Sequence, residues 1–304
     1  MHLPIANYNT AKEERLDMMM DNAYLLIGLS VIMHVTWNLL ARHVNPKTNY
    51  LWWGLLAHCV ILGPYALWQL IHNALWNWTL MAAIATTSCA LTFYFISLRR
   101  AYQYAPVSLV YPLARSSPLL IALGSLLFFG NAFSKFELFA ILLSVVGLWV
   151  VASSSGLGDT KKALPWTFAA ALATCVYSMS DKIAVEYLPG FSEQLGFATI
   201  GYLFAFIGLT LEQRWESGIW IPAKKPPLLF IIIGGCCIGT AYALVVRAMT
   251  TLPAAHVVSF TNAGIILAVL LSILVFHERE RWKQRLLGAL IISSGLILLY
   301  LTKS

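Results

Sequence analysis

The chain has 304 residues, of which 59% are hydrophobic and only 11% charged, with a net charge of +7. A soluble domain carries about 25% charged residues, so this composition excludes an ordinary globular protein and points to a polytopic membrane protein with one membrane domain. The basic surplus does not point to nucleic acid, because Lys and Arg stand singly or in short clusters between apolar runs, where topology signals belong.

Residues 1–20 are polar, with Lys12, Glu13, Glu14, Arg15 and Asp17 ahead of the first apolar run. They are expected to form a loosely ordered extension. Ten apolar runs follow, at 22–41, 50–70, 78–98, 106–129, 135–153, 164–184, 194–211, 228–248, 253–275 and 283–302. About 20 residues cross a bilayer as a helix, and a lipid-exposed backbone must satisfy its hydrogen bonds within the segment. The expected fold is therefore an all-α polytopic membrane protein of ten transmembrane helices.

The polar stretch 154–163, with Ser154, Gly156, Gly158, Asp159, Lys161 and Lys162, divides the runs five and five. A shift of 147 residues places Arg100-Ala101 on Arg247-Ala248, Pro106 on Pro253 and Arg115 on Asn262. A shift of about 140 places Trp37-Asn38 on Tyr177-Ser178. Residues 21–153 and 164–304 read as two repeats, and an odd helix number makes the second copy inverted in the membrane. Inverted repeats hold their solute near the midplane, at the repeat interface. Thirteen of the 20 Lys and Arg residues fall in the loops after runs 1, 3, 5, 7 and 9, against six on the other side. The positive-inside rule then sets both termini outside.

The most unusual run is the fourth, with Tyr111-Pro112-Leu113-Ala114-Arg115-Ser116-Ser117-Pro118 at its centre. At 1.5 Å per residue, Arg115 lies near the midplane, where a charge costs at least about 2.5–3.5 kcal/mol. Each proline lacks an N–H for the carbonyl four residues earlier, so a broken helix is expected there. Other polar or aromatic groups at depth are His34, Trp37 and Asn38 on one face of run 1, Tyr177 and Ser178 in run 6, Tyr242 in run 8 and Asn262 in run 9. Each also fits an interhelical hydrogen bond or packing role. The acids fall at run ends or in loops. Asp181, nearest to membrane depth, is read as pairing with its neighbour Lys182. An arginine without a midplane acid suits a carboxylate, phosphate or phosphonate, which its fork holds in bidentate fashion. No metal-ligand spacing and no phosphate-cradling Gly-rich motif occurs in the sequence, so no metal site, cofactor or nucleotide energy source is expected.

Leu98-Arg99-Arg100-Ala101-Tyr102-Gln103-Tyr104-Ala105-Pro106-Val107-Ser108, Val246-Arg247-Ala248 through Pro253-Ala254, and Phe276-His277-Glu278-Arg279 followed by Gly288 and Gly295 resemble repeat junctions of the drug/metabolite transporter superfamily, EamA type. His34-Val35-Thr36-Trp37-Asn38 with Tyr111-Pro112-Leu113-Ala114-Arg115 resembles one subgroup of it, parts of which are associated with phosphonate use. The first repeat departs from the pattern at Gly130-Asn131, which has no Glu. The resemblance implies ten helices, both termini in the cytoplasm (against the charge count), and a secondary transporter rather than an enzyme. The expected protein sits in a bacterial inner membrane as a monomer or homodimer. It moves a small anionic or zwitterionic solute by alternating access, with Arg115, Tyr111, His34, Trp37, Asn38, Tyr177, Ser178, Tyr242 and Asn262 around the solute. A flippase for an anionic lipid-linked head group and a non-transporting membrane partner protein are the alternatives.

Overall fold

The computed structural model describes residues 22–44, 48–130, 132–154, 159–275, 277 and 281–302. The expected extension at 1–20, the centre of the expected linker at 155–158, and Glu278-Arg279 of the repeat-end motif lie outside them. The described residues form thirteen α-helices and no strand. They are α1 Ala23–Arg42, α2 Tyr50–Ile61, α3 Gly63–Asn73, α4 Trp78–Tyr104, α5 Val107–Ala114, α6 Ser117–Phe129, α7 Lys135–Ser153, α8 Thr160–Ala184, α9 Phe191–Ser217, α10 Leu228–Ala248, α11 Ala254–Thr261, α12 Ala263–Leu274 and α13 Trp282–Leu301.

Three pairs, α2/α3, α5/α6 and α11/α12, each continue one span across a break, so thirteen helices make ten spans. The protein is an integral, multi-pass membrane protein. The break after α2 was not expected from the sequence. It bends the span by 56° at Leu62-Gly63-Pro64, where Pro64 cannot donate to Val60. Helix starts are set by local chemistry. Asn22 and Asn77 cap α1 and α4 by accepting the N–H groups of Leu25 and Leu80. Ser134 and Glu137 close a reciprocal capping box on α7. Gly130 and Gly218 end α6 and α9 with φ of +66° and +74°, conformations that a glycine adopts without a Cβ clash.

Two helices outrun their apolar sequence. α4 continues through Arg99 and Arg100, and α9 continues through Glu212 and Glu216, because these charges neutralise one another. Arg99 Nη1 lies 2.8 Å from Glu212 Oε2, Arg99 Nη2 2.7 Å from Glu216 Oε2, and Arg100 Nε 2.9 Å from Glu212 Oε1.

The halves interlock in a reciprocal pattern. α4 packs on α8 as α10 packs on α1, and α4 packs on α9 as α10 packs on α2. Each of these contacts joins one repeat to the other. The last helices of the two repeats, α7 and α13, pack on each other at backbone distance. A Cβ on Gly147 would stand 2.7 Å from the Ile292 nitrogen and 2.8 Å from the Gly288 oxygen, and one on Gly295 would stand 2.7 Å from the Ser144 nitrogen. Close approach by small residues is how helices associate where lipid removes the hydrophobic drive. Gly147→Ala is expected to destabilise the fold by about 1–3 kcal/mol, read as a lower thermal midpoint in detergent. Gly28→Ala in α1, where a Cβ would meet nothing within 4 Å, is the control and should leave the midpoint unchanged or slightly raised.

Candidate functional site: two helix breaks in contact

α5 and α11 are matching half-helices. Each has eight residues, each starts after a capping proline (Pro106, Pro253), and each ends at the position that the 147-residue shift equates, Arg115 in one and Asn262 in the other. At the first break the Arg115 and Ser116 N–H groups still bond Tyr111 O and Leu113 O, both at 3.1 Å. Pro112 and Pro118 supply no N–H to Ser108 and Ala114. The second break has no proline and is held at Asn262, whose N–H bonds Ser259 O at 3.0 Å.

The breaks touch. Asn262 Nδ2 donates to the Arg115 carbonyl at 3.3 Å, and Arg115 Nη1 donates to Thr261 Oγ1 at 3.1 Å. Arg115 Nε and Nη2 both donate to the Tyr111 hydroxyl, at 3.1 and 2.8 Å. The guanidinium carbon lies 5.2 Å from that ring's centroid. An arginine has five N–H donors, and these contacts use three. Among the described residues no carboxylate forms an ion pair with Arg115.

His34, Trp37 and Asn38 are knitted to each other along α1. Trp37 Nε1 donates to His34 Nδ1 at 3.1 Å, and Asn38 Nδ2 donates to the His34 carbonyl at 2.6 Å. With Nδ1 an acceptor, the neutral ring carries its hydrogen on Nε2. His34 lies in the electrostatic field of Arg115, and so do Tyr94 and Tyr177. Arg115, Tyr111, His34, Trp37, Tyr94 and Tyr177 are all half-buried, so they keep accessible surface at the depth of the helix breaks.

Behind this group lies a stack of tyrosines. Tyr177 meets Tyr94 and Tyr242 edge to face, both at 6.0 Å between ring centroids. Tyr242 lies 5.4 Å from Tyr202. The Tyr242 hydroxyl donates to Asp181 Oδ2 at 2.6 Å, and Thr87 Oγ1 donates to Asp181 Oδ1 at 2.8 Å. This corrects the expectation that no carboxylate lies at depth and that Asp181 pairs with Lys182. Asp181 is 0% exposed. Lys182 instead donates to the Met249 carbonyl at 2.6 Å, because neighbours on a helix do not share a face.

The structure thus gathers Arg115, Tyr111, Asn262 and Tyr177 with His34 beside them, and places Tyr242 one layer back. Ser178 is 0% exposed, and its hydroxyl has no hydrogen-bond partner, so no hydrogen bond joins it to the Arg115 group. Thr261, Tyr94, Tyr202, Thr87 and Asp181 were not among the expected site residues. Tyr94 was hidden in Phe93-Tyr94-Phe95, which reads as packing, and Thr87 among small residues. Asp181 carried a signal, a charge inside an otherwise apolar run.

Two contacts join the halves on opposite sides of the bundle. On the side of residue 159 it is the Arg99/Arg100 and Glu212/Glu216 network described above. On the other side His256 Nε2 of α11 lies 3.1 Å from Glu137 Oε1 of α7. A groove of about 350 Å³ between α4 and α9, lined by Cys89, Thr92, Phe93, Phe204, Ile207 and Leu211 among others, faces outward. None of the Arg115 partners lines it.

The family described as the EamA-like transporter family matches this chain twice, over residues 21–153 and 161–301. No curated protein matches. A crystal structure described only as that of a protein superposes with a TM-score of 0.71 at 17% identity, covering 92% of this chain and 97% of that one. At that identity the likeness concerns the fold alone.

Proposed function

The chain belongs to the EamA-like transporter family, whose members are membrane transporters of small solutes, and we propose that it carries an anionic or zwitterionic organic solute by alternating access, with Arg115 as the anion clamp. We place it in the inner membrane of a bacterium. The observation that carries the reading is the state of the guanidinium. It lies where the two half-helix breaks meet, forms no ion pair with an acid among the described residues, and has two N–H donors not engaged by its three hydrogen bonds. Stability does not call for such a group, since an intramembrane charge is costly and marks a solute path by default. A carboxylate, phosphate or phosphonate would take up the two donors as a charge-assisted pair. Tyr111 and Thr261 hold the fork in place, and Tyr94, Tyr177 and Trp37 supply apolar walls.

The alternating-access part of the reading is supported by contacts between the halves. Contacts join the halves on both sides, Arg99 and Arg100 with Glu212 on one and His256 with Glu137 on the other. Opening requires one set to break while the other holds. The flippase alternative would use the outward-facing groove between α4 and α9, which lacks the Arg115 partners.

Two outcomes test the reading. Hydrogen bonds to a charged group contribute about 1.5–3 kcal/mol, so Arg115→Ala should weaken solute uptake by about 10–100-fold. The assay is purified protein in liposomes with a panel of amino acids, organic acids and phosphonates. Arg115→Lys, which keeps the charge but loses the fork, should recover only part of the loss. Uptake that is indifferent to Arg115→Ala removes it from the site. Separately, Glu212→Gln removes the carboxylate that Arg99 and Arg100 share, leaving Arg99 only Glu216. It should speed labelling of a cysteine at Ser97, buried beside this network in α4, by a membrane-impermeant maleimide. An unchanged labelling rate would show that this network is no gate.

A further inference from the structure

Of the described acids only Asp181 has none of its surface exposed. It receives one hydroxyl from each half, Thr87 at 2.8 Å from the first and Tyr242 at 2.6 Å from the second. Among the described residues no Lys, Arg or His forms an ion pair with it. An unpaired carboxylate charge inside a bilayer is costly, and two hydroxyl donors offset only part of that cost. A merely structural bridge between Thr87 and Tyr242 would be made as well by an asparagine, whose side-chain carbonyl accepts hydroxyl hydrogens without a charge. What the aspartate adds is an exchangeable proton.

Its place relative to the solute site is specific. Tyr242, bonded to Asp181, meets Tyr177 edge to face, and Tyr177 is half-buried in the field of Arg115. Asp181 therefore sits one tyrosine layer behind the solute space. The groups that face it are the Thr87 hydroxyl from α4, Tyr202 from α9, Tyr242 from α10 and Tyr177 from its own helix. The α6 helix packed against α8 contains no titratable side chain. His256 on α11 is engaged with Glu137.

We propose that Asp181 is a proton-binding site that couples solute movement to proton movement, an inference that rests on the transport reading above. The step is a proton transfer with no change of oxidation state. A proton from water on one side forms an O–H bond at Oδ2. Tyr242 then turns from donor to acceptor, while Thr87 continues to donate to Oδ1. Breaking the same O–H bond later returns the proton to water on the other side. Because Thr87 and Tyr242 belong to different halves, gain or loss of this proton alters a contact between the parts that must move.

The site can be read without any solute. Infrared pH-difference spectra of the full chain in phosphatidylethanolamine/phosphatidylglycerol vesicles should show a protonated-carboxyl band that grows as the pH is lowered. The band should be missing in Asp181→Asn and shifted in frequency in Tyr242→Phe. Asp181→Glu, which keeps a carboxyl, should retain a band and guards against misfolding of the asparagine variant. Identical difference spectra in wild type and Asp181→Asn overturn the proton site. For the coupling, an inward proton gradient should raise uptake of the carried panel solute several-fold in wild type and Asp181→Glu, and have no effect in Asp181→Asn. A gradient effect that persists in Asp181→Asn overturns the coupling. If wild type carries no panel solute, that counts against the transport reading, while the infrared comparison still decides the proton site.

Discussion

The contact on which this structure depends is the one between the two interrupted helices. A helix break inside a bilayer exposes backbone carbonyls that lipid cannot hydrate, and such breaks persist only where protein or an internal polar space supplies partners. Here each break helps the other. The Asn262 side chain meets the Arg115 carbonyl, and the Arg115 side chain meets the Thr261 hydroxyl. Neither interruption is a local defect of its own sequence. Together they form a joint at the crossing of the two repeats.

The joint is symmetric in backbone and asymmetric in chemistry. Both half-helices have eight residues and a proline cap, but one delivers a guanidinium and the other an amide. The tyrosine layer shows the same division. The 147-residue shift puts Phe95 where the second repeat has Tyr242, and the 140-residue shift puts Ala41 where it has Asp181. The first repeat thus contributes the half-buried guanidinium and the second the buried carboxyl, separated by aromatic rings. Duplication supplied two equivalent hinges, and substitutions in single copies supplied the polarity.

The sequence was explicit about whatever lipid enforces. Ten apolar runs became ten spans, α7 and α10 start and end where the runs do, and Pro112 with Pro118 announced the first break. Apart from the bend at Gly63-Pro64, whose cause is local, the missed features depend on a partner distant in sequence. The second break carries no proline. Its position was legible only through the repeat, which equates Asn262 with Arg115. The lengths of α4 and α9 were underestimated because hydropathy counts Arg99, Arg100, Glu212 and Glu216 as ends of runs, and cannot see that they neutralise each other across the halves. Asp181 was misread for the same reason. The adjacent Lys182 offered an obvious partner, whereas the real ones, Thr87 and Tyr242, lie 94 and 61 residues away.

The packing also limits how the halves could move. At α7 and α13 the backbones are in contact through Gly147, Gly288 and Gly295, and sliding this seam would bring main-chain atoms into collision. The end contacts are different. The Arg99–Glu216 pair keeps 27% and 34% of its side-chain surface exposed, and such a pair contributes only about 0–1 kcal/mol, whereas Glu212 and His256 are buried and are costlier to separate. A rocking motion would leave the glycine seam intact as its axis and be expressed at these end contacts. In the proposed motion, the breaks at Arg115 and Asn262 would let α5 and α11 tilt without dragging α6 and α12. Arg115, the proposed anion clamp, sits at the end of one of these half-helices, so in the proposed reading a change in its occupancy would be felt first by the element at the break.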